Sequence, residues 1–292
     1  ALDPRNLVDR IHGICLTGGS AYGLAAADGV MAELEHRMLG VPVGPDPDHA
    51  VPVVPAAVIF DLGRGGVFRN RPDASFGRRA AASAGHRSIR GSIGAGTGAR
   101  ACGLQGGVGM SSTTIELGGM IATVAALAIV NASGSVVDPR TGRPWSYVRG
   151  LVAPLTAERR LLDELRRSTT APPLNTTIGI VATDVALTRP EAGRLAQSGH
   201  DGLARAIRPA HSLMDGDTLF GLSTGAHHLP DTAASLVRNT ASRASALNRL
   251  FAAAADVVET ACVDALLTAT TIGSAPSYRS VCPSVFRRLD DR

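Results

Sequence analysis

Thr176 opens an apolar run, Thr176-Thr177-Ile178-Gly179-Ile180-Val181-Ala182-Thr183-Asp184, directly behind Asn175 and the proline-bearing spacer Ser168 to Leu174. Scission of the bond between Asn175 and Thr176 would leave Thr176 with a free α-amine, whose ordinary pKa of about 7.7 to 8 lets it accept a proton near neutrality. One residue would then carry a nucleophilic hydroxyl and its general base. The same hydroxyl can make the cut. Its attack on the Asn175 carbonyl turns the amide into an ester, and water then releases the amine. Left uncut, a threonine at the head of a strand is simply a β-former.

Other patterns also carry polar chemistry. Asp215-Gly216-Asp217 sets two carboxylates two residues apart, on one side of an extended segment, where they could orient an ammonium and accept a hydroxyl proton. Like charges that close would raise one of the two pKa values. The alternative is a turn before a strand, for which Asp-Gly-Asp is ordinary composition. Asn131 closes the apolar run Val124 to Val130; a buried Asn needs partners, and its amide can donate to an oxyanion or cap the strand end. Gly18-Gly19-Ser20 offers backbone N–H groups to an anion such as a substrate carboxylate, or lets a neighbouring chain approach closely. Gly221-Leu222-Ser223-Thr224-Gly225 matches the nucleophile-elbow pattern, but that fold needs an acid and then a histidine well downstream, and the last histidine is His228. His227 and His228 therefore read as loop residues.

These groups need a frame. Residues 11–17 suit a short strand, after which Ser20 caps a helix running to about Leu39. Val51 to Phe60 is apolar and β-branched, pushed toward a sheet edge by Pro52 and Pro55. Residues 73–89 suit an exposed helix. Eight glycines from Gly91 to Gly109 read as loop or tight turn; with no Gly-Lys-Ser/Thr and no strand-led G-x-G-x-x-G, they form no nucleotide fingerprint. Strands follow at Met110 to Leu117 and Met120 to Asn131. A connector over 139–175 holds an amphipathic helix at about 157–168 and an exposed, mobile end. The strand over 176–184 is apolar on both faces, hence interior. A helix from Arg189 to Ile207, a strand from Asp217 to Thr224 and one or two buried helices in the alanine-rich 232–270 complete the chain. Strands and helices mix without a regular βαβ period, which favours a layered α+β fold, taken as a single domain over 1–292, rather than a doubly wound sheet.

Composition excludes several function classes. Hydrophobic residues make up 45% of the chain, ample for a large core. A dispersed net charge of +4 and only six Phe, three Tyr and one Trp argue against nucleic-acid binding. Every basic residue is Arg, so lysine chemistry is ruled out. Cys15, Cys102, Cys262 and Cys282 form no CxxC pair and stand apart from any zinc-type histidine spacing, so neither a metal nor a disulfide framework is expected. With no apparent signal segment and no apolar run of roughly 18 residues, the expectation is a cytoplasmic protein without membrane contact. The chain opens at Ala1-Leu2-Asp3-Pro4 rather than at Met, consistent with an upstream segment removed or not included.

Taken together, Leu16 to Leu24, Gly94 to Gly98 with Gly106-Gly107, the strand ending at Asn131, Asn175 to Asp184, Asp215 to Gly225 and Pro276-Ser277-Tyr278 resemble the DmpA-like aminopeptidases, a self-cleaving family that includes the β-peptidyl aminopeptidases. The likeness spans nearly the whole chain. It implies an αββα four-layer sandwich similar to N-terminal-nucleophile hydrolases with different connectivity, and autocleavage into residues 1–175 and 176–292. It makes Thr176 the nucleophile and Asn131 the oxyanion donor, and it sets Asp215 and Asp217 where better-known members carry the Ser and Glu of Ser-Gly-Glu. It further implies a tyrosine hydroxyl near the scissile carbonyl, in a region where this chain has Phe60. The activity implied is removal of N-terminal residues from short peptides, amino-acid amides or small esters, without metal or organic cofactor, by a homo-oligomer. An acyltransferase similar to ornithine acetyltransferase, or a non-catalytic small-molecule-binding protein in which Thr176 is never released, are the alternatives.

Overall fold

Two long apolar strands joined by Gly118-Gly119 set the architecture. Both glycines have positive φ (59° and 91°), the conformation a two-residue hairpin turn demands. The hairpin is in unbroken register from Leu117↔Met120 to Gly107↔Val130. The computed structural model describes residues 2–3, 5–46, 48–86, 89–168, 174–229 and 236–287, with the backbone alone over 236–242. In chain order the elements are β1 (Cys15–Thr17), α1 (Ala25–His36), β2 (Val41–Pro42), β3 (Ala50–Val51), β4 (Ala56–Val58), α2 (Ala74–Ala82), β5 (Arg100–Ala101) and β6 (Leu104–Gln105). They continue with β7 (Gly107–Leu117), β8 (Met120–Val130), α3 (Thr156–Ser168), β9 (Ile178–Val185), α4 (Arg189–Ala206), β10 (Thr218–His227), α5 (Leu236–Thr268) and α6 (Tyr278–Val281).

The main sheet has the order β10-β9-β8-β7. β9 is interior, as its two apolar faces predict: it pairs antiparallel with β8 and parallel with β10. The period-2 alternation of strands divides its residues between two cores. Val124, Ala126 and Ala128 of β8 and Val181 and Val185 of β9 join the large core under α4 and α5, whereas Ile129 and Ile178 face the other way. Leu195 and Leu203 of α4 and Leu250, Val258 and Leu266 of α5 are buried in that large core. Each such side chain contributes about 1.5–3 kcal/mol relative to exposure. A capping box of Thr188 and Glu191, with Pro190 in the first turn, fixes where α4 starts.

The second sheet face carries β1 and β4, a parallel pair of three-residue strands. Between it and the main sheet lies a smaller core of Ala57, Ile59, Ala99, Val108, Ile129 and Ile178. α1 and α2 pack on each other at glycines: a Cβ on Gly29 would stand 1.7 Å from the Ala74 carbonyl, and one on Gly77 1.7 Å from that of Ala26. The layers thus run α1/α2, β1/β4, the four-stranded sheet, and α4/α5, the sandwich that the family resemblance implies. Beyond β1/β4 this sheet face opens into a groove lined by Met110, Ser112, Ala125, Leu127, Ile180 and Ala182.

Several local expectations are corrected. Ser20 does not cap α1: it sits at φ +53° inside a one-turn 3-10 segment over Ser20–Leu24 that follows Gly19, itself at φ +87°. The strand expected over Val51 to Phe60 is split into β3 and β4, with Pro52 and Pro55 between them, because proline removes ladder donors. The glycine cluster is not all loop. Gly107 and Gly109 belong to β7, and a Cβ at Gly109 would meet the Ala261 carbonyl at 2.0 Å, so glycine there lets α5 lie on the sheet. The spacer expected to be mobile falls largely on residues 169–173, outside the described residues. No helix among the described residues is long and apolar enough to cross a membrane.

Candidate active site

Thr176 lies just ahead of β9, where the chain leaves the isolated bridge Asn175↔Asp215. Its N–H donates to the main-chain carbonyl of Asn131 at 2.7 Å. Its Oγ1 donates to the carbonyl oxygen of Asn175, the group it would attack in a self-cleavage. That same carbonyl oxygen accepts the backbone N–H of Gly216 at 3.1 Å. A hydroxyl and a backbone N–H therefore converge on one carbonyl, an arrangement compatible with acyl transfer.

Asn131 directly follows β8 and is fully buried, at 0% exposure. Its carboxamide is not on the Asn175 carbonyl. Nδ2 donates to the Phe60 carbonyl at 3.1 Å, while Oδ1 accepts from Arg64 and from the Arg100 N–H at 3.0 Å. The Asn175 carbonyl takes the Gly216 N–H rather than the carboxamide, and Asn131 accepts the Thr176 N–H through its own carbonyl.

The two aspartates are both at the site, yet with separate partners. Asp217, its side chain only 5% exposed, accepts the Thr177 N–H at 2.8 Å through Oδ1 and contacts His211 Nδ1 at 2.8 Å through Oδ2. Asp215 Oδ2 accepts from the hydroxyls of Ser133 (2.7 Å) and Ser212 (2.6 Å). Both carboxylates thus brace the segments flanking Thr176, and the pair expected to share an ammonium is instead filled by internal donors. The His211 ring lies 5.0 Å from that of His200, tilted by 56°, and the His200 pKa is lowered by burial and by His211.

The Gly18-Gly19-Ser20 expectation is also revised. The anion held by this loop is the protein's own Asp61, whose Oδ1 accepts the Gly19 N–H at 2.7 Å, while the Ser20 N–H goes to the Ile59 carbonyl at 2.9 Å. A Cβ at Gly18 or Gly98 would stand 2.4 or 2.5 Å from Asp61 Oδ2, so both glycines make room for that carboxylate. Asp61 in turn acts on Arg64, a residue that sequence reasoning missed. Arg64 Nη2 donates to the Leu174 carbonyl (3.1 Å) and to Asn175 Oδ1 (2.8 Å). Burial pulls its pKa down to about 10, with Arg100 acting in the same direction and Asp61 opposing. One of 29 arginines has no distinguishing type; its setting in Gly63-Arg64-Gly65-Gly66 was the only signal available.

Phe60 supplies its carbonyl to Asn131 rather than a hydroxyl. Two tyrosines of the motif segments are engaged elsewhere: Tyr278 donates to the Gly142 carbonyl at 2.6 Å, and Tyr22 stacks under Arg71 at 3.8 Å. Ser223 is no nucleophile elbow, since it lies within β10 and donates to the Val185 carbonyl at 2.7 Å. His227, expected in a loop, is the last residue of that strand.

Comparison with known proteins adds an independent line. The model of peptidase family S58 matches residues 1–278. An uncharacterized aminopeptidase of Mycobacterium tuberculosis strain H37Rv is 45% identical over 294 residues, covering 98% of this chain and 82% of the relative. A 6-aminohexanoate-oligomer endohydrolase of Paenarthrobacter ureafaciens is 33% identical over 257 residues, covering 82% of this chain and 68% of that protein. Among solved structures, the L-aminopeptidase D-Ala-esterase/amidase of Ochrobactrum anthropi, described as a variant of the Ntn hydrolase fold, superposes with a TM-score of 0.59 at 21% identity, over 92% of this chain and 71% of that one. Sequence match, shared fold and a threonine poised on its preceding carbonyl agree: the chain belongs to peptidase family S58.

Proposed function

We propose that this protein is a self-processed hydrolase that removes N-terminal residues from short peptides, amino-acid amides or small esters, with Thr176 as its nucleophile. The observation that carries the reading is the hydroxyl of Thr176 resting on the Asn175 carbonyl while Gly216 N–H donates to the same oxygen. Self-cleavage would proceed by attack of Oγ1 on that carbonyl carbon, transfer of the acyl group to oxygen as the Thr176 nitrogen takes the hydroxyl proton, and hydrolysis of the ester. The free amine would then stay beside Oγ1, held by the Asn131 carbonyl.

In turnover the amine takes the Oγ1 proton as Oγ1 attacks the substrate carbonyl, and returns it to the leaving amine; water resolves the ester and regenerates the site. The names of the relatives, aminopeptidases and an oligomer endohydrolase, support hydrolysis over acyl transfer to an amine. Four free cysteines, three of them buried, suit a cytoplasmic setting, and a homo-oligomeric assembly is part of the proposal. A denaturing gel with N-terminal sequencing tests it. The wild type should give two fragments, the smaller starting Thr-Thr-Ile-Gly. Thr176→Ala should remain one 30.0 kDa band without activity, and Thr176→Ser should still process. Turnover by the alanine variant would remove the proposed nucleophile.

A further inference from the structure

Asn175 is gripped at three points. Its N–H donates to the Met214 carbonyl at 3.0 Å, its carbonyl oxygen accepts from Gly216 N–H at 3.1 Å, and its side-chain Oδ1 accepts from Arg64 Nη2 at 2.8 Å. The third contact is unusual for a residue about to leave. Arg64 makes no salt bridge to a carboxylate among the described residues, and its Nε is buried with no hydrogen-bond partner there. A half-buried guanidinium with one buried N–H left unpaired favours an oxygen acceptor, above all an anionic one.

We propose that these three groups form the subsite for the residue whose carbonyl is attacked, and that the mature enzyme prefers substrates beginning with a residue that carries a carboxamide or carboxylate on its β-carbon, asparaginyl or aspartyl. This rests on the hydrolase reading given above. One nucleophile and one N–H donor serve both the chain's own junction and an incoming substrate, so the attacked carbonyl must take much the same place in both. Groups on its acyl side then extend from the same point. Once the new terminus at Asn175 withdraws, the Met214 carbonyl is open to the substrate ammonium, Gly216 N–H to the developing oxyanion, and Arg64 to the side-chain oxygen. An aliphatic side chain would leave Arg64 Nη2 without the acceptor that Asn175 Oδ1 supplies, while Nη1 stays on Asn131 Oδ1. A carboxamide restores the Asn175 contact, and a carboxylate adds opposite charge.

The test uses processed wild-type protein and the p-nitroanilides of L-asparagine, L-aspartate, L-alanine and L-leucine. The asparaginyl and aspartyl substrates should show kcat/KM at least about tenfold above the other two, because a site built to hydrogen-bond a substrate group rejects analogues that lack it. Comparing the first two separates the carboxamide from the carboxylate. Arg64→Met should bring the four values to within about threefold of one another. Should that variant fail to fold or process, inhibition of the wild type decides instead: free L-asparagine or L-aspartate should inhibit at least about tenfold more tightly than L-alanine or L-leucine. Alanyl or leucyl substrates cleaved as fast as the other two would overturn the subsite and leave the hydrolase reading standing. Processed protein that cleaves none of the four would remove both.

Discussion

Asn131 shows how one residue can brace the candidate site while its side chain stays off the Asn175 carbonyl. Its carboxamide ties together Phe60, Arg64 and Arg100, and its carbonyl holds the Thr176 N–H. Asn131→Ala keeps the carbonyl but strands half-buried partners, a loss of up to about 1–3 kcal/mol for each group left unpaired. Processing and thermal stability should therefore fall together, followed by a gel time course and a melting curve. A rate loss of about a hundredfold with an unchanged melting temperature would return the carboxamide to the oxyanion. Thr176, Asn131, Asp215 and Asp217 stood out because their types advertise chemistry, and the fold brings them together. Gly216 N–H and the Met214 carbonyl did not, since every residue but proline carries the same backbone groups. Asp61 and Arg64 were hidden differently, because their importance comes from burial, which composition does not reveal.

At the level of elements, α3 is anchored by an acid at its first turn. Glu158 is buried and accepts from the Leu155 N–H, the Ser284 N–H and the Ser284 hydroxyl. Burial alone would raise its pKa, but these bonds outweigh it and the net shift is downward. A carboxyl with a lowered folded pKa contributes stability above its unfolded value of about 4.3, and that contribution is lost as the pH falls through the folded value. Glu158→Gln should accordingly flatten the acid limb of the stability curve below about pH 4.3, read by melting temperature against pH; an unchanged limb would show that the carboxylate is not linked to folding. Nothing in the 157–168 pattern signalled this anchor, since Ser284 is 126 residues away. What did show through were elements governed by their own residues. β9 was interior by its apolar faces, and the helix expected from Arg189 to Ile207 is α4, Arg189–Ala206. The misread pieces were those decided by a neighbour. Gly107 and Gly109 look like loop until α5 needs room above them, and Ser20 looks like a cap until Gly19 turns the chain before it.

Over the whole molecule, the proposed cut falls at a seam inside the sheet rather than between separable halves. β9, just after Thr176, is laddered to β8 from the first fragment and to β10 from the second. α5 buries Leu250, Val258 and Leu266 in a core shared with Val124 and Ala126 of β8. Fragments 1–175 and 176–292 should thus co-elute as one species on gel filtration and part only in denaturant; separation in native buffer would contradict this packing. The ladder between β8 and β9 has a lasting consequence. Before the cut, folding is a search by one tethered chain. Afterward the same native contacts must be found by two free polymers meeting in solution, so recovery from urea should depend on protein concentration only for the mature form. Maturation would then make loss of structure difficult to reverse, leaving the working enzyme to persist by slow opening rather than by ready repair.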